Sequence, residues 1–161
     1  REICAFYYFS KGKALFRKGR TSRGLMLLQL ASQIGYDDQL IHSELGVFLT
    51  DQGFFEAARK ELEIAKIHHE SMHVVHNNWG YYYHKISDYK KAVASFRKAL
   101  ELRPRNVAAH NNLGFALHEL GREAEAVKVL KKSLKLDPEQ PMVRRFISRH
   151  WGKPGKTSQD R

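Results

Sequence analysis

The stretch Val107–Pro138, VAAHNNLGFALHELGREAEAVKVLKKSLKLDP, decides the fold that this sequence predicts. Apolar residues recur in it at i, i+3, i+4 and i+7 before Gly121 and at i, i+1, i+4 and i+8 after it, and both spacings place them on one face of a helix. They are Leu113, Ala116, Leu117 and Leu120 in the first segment and Ala126, Val127, Leu130 and Leu134 in the second. Pro138 ends the second segment. A single helix pair of this size cannot bury both apolar faces, so the pattern predicts neighbouring pairs.

The same pattern occurs upstream, without any gap, at a period of about 34 residues. Glycine at the repeated position lets two helices approach closely, because it has no Cβ. The repeated residues are Gly12, Gly46, Gly80 and Gly114, then Ala58, Ala92 and Ala126, and finally Pro104 and Pro138. The sequence therefore predicts a tandem array of helix pairs.

The period and its marker residues resemble the tetratricopeptide repeat (TPR), whose pattern is W-x2-L-G-x2-Y, A-x3-F and P in each repeat. The third repeat matches most fully, with His76-x2-Trp79-Gly80-x2-Tyr83, then Ala92-x3-Phe96 and Pro104. In the first repeat Lys11 stands where the family has a buried leucine. The resemblance implies an all-α fold, an α-solenoid of about four helix-turn-helix repeats with a C-terminal capping helix.

A single domain is predicted over residues 1–151. Its repeats are predicted at about 5–38, 39–72, 73–106 and 107–138, followed by a cap helix at 140–151. Residues 152–161 contain no apolar side chain and are predicted to form a disordered basic tail.

The charge balance is strongly basic, with 28 Lys and Arg against 17 Asp and Glu and a net charge of +11. Such a balance favours anionic partners. The single cysteine, Cys4, excludes an intramolecular disulfide and slightly favours a cytoplasmic location. No apolar run is long enough to span a membrane. The chain begins at Arg1 rather than Met, which leaves room for an upstream targeting segment, so the compartment stays open.

Motifs of known catalytic chemistry are not found in the sequence. It has no Gly-rich phosphate loop, no G-x-S-x-G and no H-E-x-x-H, so we predict neither an enzyme nor a cofactor. Residues 68–76 contain four histidines, and imidazole is a metal ligand. Their spacing does not fix a tetrahedral site. His76 occupies the same position of the repeat, here called a slot, as His42 and His110, which indicates packing. No metal site is predicted.

The resemblance also implies a function. In this family the first helices of the pairs line a concave groove that takes a peptide or helix of a partner, so the predicted function is a protein–protein interaction module acting as an assembly adaptor or scaffold. Carried over slot by slot, the predicted groove residues are Lys13, Asn77, Asn78, Tyr81, His84, Asn111, Asn112, Phe115, His118, Arg145 and Arg149.

Three residue types in this groove indicate what the ligand would be. Asparagine side chains both donate and accept hydrogen bonds, so they can hold a peptide backbone. Tyr81 and Phe115 would hold an apolar side chain. Arg145 and Arg149 would pair with an acidic residue or a terminal carboxylate.

Two alternatives stay open at this point. RNA binding through basic faces is disfavoured, because the groove slots change from repeat to repeat and the basic residues fall largely on outer helices. The run Phe6–Phe9 cannot point entirely inward on one helix, which predicts an exposed aromatic edge. That edge would serve self-association or pack against an upstream segment.

Overall fold

The structure of the protein, a computed structural model, describes residues 2–34, 39–69 and 72–151. Within these residues it contains nine α-helices and no β-strand. The helices are α1 (Glu2–Arg17), α2 (Thr21–Ile34), α3 (Gln39–Asp51), α4 (Phe55–His69), α5 (His73–Lys85), α6 (Tyr89–Leu102), α7 (Val107–Glu119), α8 (Glu123–Leu136) and α9 (Pro141–Trp151). The predicted all-α solenoid class is confirmed.

The helices pack in consecutive pairs, α1 with α2, α3 with α4, α5 with α6 and α7 with α8. In the last pair the turn is closed by a backbone hydrogen bond of 2.9 Å from the Arg122 amide to the Leu117 carbonyl, and the other three pairs have the equivalent bond. The residue before the donor has a positive φ, which suits Gly121 at 71°. In the third pair Ser87 takes this conformation, with φ at 62°.

The repeated glycines lie where the two helices of a pair cross. A Cβ built on Gly46, Gly80 or Gly114 would lie 2.5 to 2.6 Å from a side chain of the facing helix, which is closer than real Cβ contacts allow. The facing side chains are Leu62, Phe96 and Leu130. The close approach predicted from the glycine spacing is thereby confirmed, and these crossings fix how the pairs pack.

The first helices of successive pairs contact one another, α1 with α3, α3 with α5 and α5 with α7. They form one continuous surface, which we call the inner face. The second helices lie behind them, with α4 also contacting α5 and α6 also contacting α7. The exposed sides of α2, α4, α6 and α8 are called the outer face.

The histidine slot of the repeat is occupied by buried rings in the second and fourth repeats, as predicted. His42 is 1% exposed and His110 is 3% exposed. The Nδ1 atom of His42 lies 2.7 Å from a carboxylate oxygen of Glu61, which also accepts hydrogen bonds of 3.1 Å from the Ser32 hydroxyl. A buried polar group needs such partners, so this cluster joins α2, α3 and α4.

The first repeat packs despite its polar Lys11. That side chain is exposed, and its ammonium donates a 2.8 Å hydrogen bond to the Tyr7 hydroxyl. Phe9 is 2% exposed and belongs to the core, whereas Phe6 and Tyr7 are 58% and 53% exposed. The aromatic edge therefore consists of Phe6 and Tyr7, and Phe9 does not contribute to it. Self-association through this edge stays a prediction, which light scattering of the chain can test.

The cap helix α9 packs against the last pair. Val143 is buried, and the Phe146 ring lies 5.0 Å from the Phe115 ring. Gln140, just before α9, is buried and donates to the carbonyls of Ser133 and Asp137, at 3.1 and 2.7 Å. These contacts close the end of the array, as terminal repeats require. The predicted tail lies outside the described residues, as do the side chains of His68 and His69.

Candidate binding groove

Two cavities lie on the inner face of the described residues. The larger, of about 610 Å³, lies across α1, α3 and α5. The smaller, of about 270 Å³, lies between α5, α6 and α7. Both cavities are on the face where the sequence predicted a groove, and between them they include six of the predicted groove residues: Lys13, Asn78, Tyr81, His84, Asn112 and Phe115.

The larger cavity includes Phe16, Ser43, Glu44 and Val47, which occupy the same repeat positions as predicted groove residues of later repeats, and five residues outside those positions. Its apolar floor consists of Phe16, Val47, Phe48 and Val74, and its polar walls include Arg17, Ser43, Glu44, Asp51 and Gln52. A signal for one of these walls is present in the sequence. Arg17, Asp51 and Lys85 are each one repeat length apart, so they occupy one slot at the ends of successive first helices.

A polar bridge separates the two cavities. The Tyr81 hydroxyl donates a hydrogen bond to the Asp51 carboxylate, and the Lys85 ammonium lies 3.8 Å from the same carboxylate oxygen. The Lys85 ammonium also lies 5.4 Å from the centre of the Tyr81 ring. Burial, followed by the hydrogen bond to Asp51, raises the pKa of Tyr81, so its hydroxyl stays protonated and donating.

His84 lies in the wall of the smaller cavity, beside Tyr81 and Phe115. Burial lowers the pKa of His84, and the Glu119 carboxylate partly opposes this shift. Because its ordinary pKa is already below neutral, the ring is uncharged at neutral pH. The cavity therefore presents an uncharged imidazole together with two aromatic rings.

The four groove asparagines are already bonded within the array. Asn78 donates to the Ser43 carbonyl at 3.5 Å, and Asn112 donates to the Asn77 side-chain oxygen at 3.4 Å. Asn111 donates to the side chain of Gln140 at 2.6 Å. The bonds donated by Asn78 and Asn112 are both long, and each uses an amide N–H. The side-chain oxygens of these two residues make no hydrogen bond with any described residue.

His118 lies against the cap helix. Its ring centre is 5.1 Å from that of Phe146, 4.6 Å from that of His150 and 5.7 Å from that of Trp151. Its Nδ1 atom lies 2.9 Å from a carboxylate oxygen of Glu123. The repeat slot places His118 on the inner side of α7, but α9 covers that part of the helix, so His118 lines neither of the two cavities.

Arg145 and Arg149 lie on the exposed side of α9. Neither forms an ion pair or a hydrogen bond with any residue that the structure describes. Their guanidinium groups are therefore available to an anionic group, although neither residue lines one of the two cavities.

The outer face carries most of the remaining charge. On α6 three cations have carboxylate partners: Lys91 with Asp88, Arg97 with Glu125 and Lys98 with Glu101, at 2.8, 3.1 and 3.0 Å. On α8 four exposed lysines occupy one side of the helix and form no ion pair within the described part of the chain. These four, Lys128, Lys131, Lys132 and Lys135, are called the lysine row.

Comparison with known families agrees with this architecture. A model described as TPR repeat matches residues 80–121, and a model described as tetratricopeptide repeat matches residues 107–140. Residues 80–140 thus match tetratricopeptide-repeat models. TPR repeats are generally protein-interaction modules, which supports a role as a protein-interaction scaffold.

Solved TPR structures show the same fold. The Pseudomonas aeruginosa PilF structure matches with a TM-score of 0.72 and 24% identity, over 88% of this chain and 64% of that one. MamA from Desulfovibrio magneticus matches with a TM-score of 0.69 and 18% identity, over 85% and 77%. A point mutant of MamA matches with a TM-score of 0.63 and 29% identity, over 93% and 89%. The chain thus spans a little under two thirds of the PilF chain. These structural similarities support the fold and nothing further.

A search of curated proteins finds no match to this chain. Within residues 2–34, 39–69 and 72–151, no helix is both long and apolar enough to cross a membrane.

Proposed function

We propose that the inner face binds a peptide or helical segment of a partner protein, and that the chain acts as an assembly adaptor or scaffold. The observation that carries this proposal is the pair of cavities on the inner face, which have aromatic and aliphatic floors and polar walls. A site of this kind suits a segment with apolar side chains, because burying them drives binding while the polar walls orient the backbone.

The residues of the cavities have distinct roles in this proposal. The side-chain oxygens of Asn78 and Asn112 accept hydrogen bonds from ligand backbone amides. Tyr81 and Phe115 hold one large apolar side chain in the smaller cavity, where aromatic rings offer large contact areas. The bridge from Tyr81 to Asp51 divides the ligand path, so one anchor binds on each side of it.

The ligand also carries an acidic residue or a terminal carboxylate that reaches Arg145 and Arg149. Arginine suits this role, because its planar group can form two parallel hydrogen bonds with a carboxylate. We expect the double change Arg145→Glu and Arg149→Glu to weaken binding more than tenfold, about 1.4 kcal/mol. The measurement is the fluorescence anisotropy of a labelled peptide selected on the wild-type chain from a random displayed library, with circular dichroism to check helicity.

The control changes Lys90, Lys91, Arg97 and Lys98 on α6 to Glu, a larger charge change than that of the arginine pair. These residues lie on the outer face, so peptide binding should survive their reversal. If the peptide still binds after the arginine pair is reversed, and is released by the α6 change, the functional surface is the outer face and the proposal is wrong.

RNA binding is the second candidate, and the unpaired lysine row is the observation that favours it. Lysines attract phosphates, but the row includes no aromatic side chain on which a base could stack. Anisotropy of a generic labelled RNA at several salt concentrations separates the two functions. Tight binding that falls steeply with salt, and that is lost when the lysine row is reversed, would favour RNA.

A further inference from the structure

The larger cavity has walls of opposite charge. The wall from α1 presents Lys13 and Arg17, and the wall from α3 presents Glu44 and Asp51. The apolar floor lies in the same cavity, and its Phe16 and Phe48 rings pack edge to face at 5.2 Å. The cavity is therefore polarised across its width, from a basic side at α1 to an acidic side at α3.

These walls do not neutralise each other. Arg17 and Glu44 are exposed, and neither makes a hydrogen bond or an ion pair with any described residue. The Lys13 ammonium lies over the rings of Phe9 and Phe48, at 4.7 and 5.8 Å, and no carboxylate of the described residues pairs with it. Asp51 instead pairs with residues of α5.

Unpaired charges of this kind set a condition on whatever covers them. In the free protein water solvates each charge, so leaving it unpaired costs little. A ligand that fills the cavity removes that water, and a charge covered without an opposite partner is costly. Like charges placed face to face cost more still, so such walls select partners by their charge pattern.

We propose that the larger cavity selects a protein segment with an apolar residue between an acidic residue, which faces α1, and a basic residue, which faces α3. This inference rests on the proposed function and specifies the ligand. Packed helix axes lie about 8–10 Å apart, and an extended chain rises about 3.3 Å per residue. The acidic and basic residues therefore lie about three positions apart along an extended ligand.

The acidic wall also argues against nucleic acid as the occupant of this cavity. A phosphate backbone carries negative charge along its whole length and would have to pass Glu44 and Asp51 as well as Lys13 and Arg17. A segment with both signs of charge satisfies both walls.

The test selects random displayed peptides on three chains: the wild type, the double variant Lys13→Glu with Arg17→Glu, and the variant Glu44→Lys. We expect wild-type peptides to share an apolar residue between one acidic and one basic residue. Peptides from the double variant should lose the acidic residue, and those from Glu44→Lys should lose the basic one. The matched control is Lys128→Glu with Lys131→Glu, which has the same charge change on the lysine row and should select the wild-type pattern.

A charge-swap measurement then decides the inference. The labelled wild-type peptide should bind the Lys13→Glu, Arg17→Glu chain about tenfold more weakly. Replacing the acidic residue of that peptide by lysine should restore its affinity for this variant. If the selected peptides depend on Val47 and Tyr81 but carry no charge pattern, and the swap restores nothing, the inference is overturned and the proposed function stands. If no selected peptide depends on the inner face, both are overturned.

Discussion

Gly80→Leu is expected to lower the free energy of unfolding by about 3 kcal/mol, near the upper end of the usual cost of overpacking. A Cβ at this position would lie 2.5 and 2.6 Å from two ring atoms of Phe96, and Phe96 is itself 1% exposed. The ring cannot move away without displacing its buried neighbours, because interiors are packed at crystal-like density. For a chain of this size the melting temperature should fall by about 6–12 °C.

Two further variants isolate the cause of this loss. Gly80→Ala improves helix propensity by about 1 kcal/mol, so a loss of stability on this change would come from the crossing alone. Ala94→Leu adds a leucine at an exposed position of α6 and should leave the melting temperature nearly unchanged. Thermal unfolding followed by circular dichroism measures all three. A Gly80→Leu chain as stable as the wild type would contradict the close-crossing account.

Phe96→Ala is expected to cost about 3–5 kcal/mol, the usual range for removing a buried phenylalanine. Phe96 fills the crossing from the side opposite to Gly80, and it belongs to the cluster that joins α6, α7 and α8. Removing its ring leaves a void that a backbone held by neighbouring repeats cannot close. Urea unfolding should show a lower midpoint for this variant.

Leu102→Ala is the matched control, because Leu102 lies on the same helix and is 42% exposed. A change at such a surface position usually stays within about 0.5 kcal/mol. If Phe96→Ala and Leu102→Ala lowered the free energy of unfolding equally, the helix crossing would contribute no more to stability than the surface does.

The helices and their crossings could be predicted from the sequence. The helices depend on the spacing of apolar residues, and the crossings depend on glycines that recur once in each repeat. Leu113, Leu117 and Leu120 recur at helical spacing, and Gly80 and Gly114 recur at the repeat length. One slot per repeat therefore identifies one helix face in every pair. The same counting placed His42, His76 and His110 at one repeat position, where His42 and His110 are buried and His76 is half-buried.

The position of the larger cavity could not be predicted in this way. A slot comparison places a residue on a helix face, but it does not say how much space is left beside it. Val47 shares a slot with Tyr81 and Phe115, and its smaller side chain leaves room between α1 and α3. At the other end of the array α9 places Phe146 against Phe115 and His118, which occupies that space.

Two polar contacts across repeats could not be predicted from the sequence. The bond between Tyr81 and Asp51 joins residues 30 positions apart, and that between Asn111 and Gln140 joins residues 29 apart. Neither spacing equals the repeat length, so no slot comparison brings these residues together. The burial of Phe9 and the exposure of Phe6 and Tyr7 depend likewise on the packing of the first helix.

The most direct test of the central claim is to map which residues of the chain a selected peptide contacts. Nuclear magnetic resonance of the isotope-labelled chain, titrated with such a peptide, reports the perturbed residues one by one. We predict that the perturbed signals belong to the inner face and include Lys13, Val47, Asn78 and Tyr81, while the lysine row on α8 stays unchanged. Perturbations confined to the lysine row and α6, with the inner face unaffected, would contradict the account.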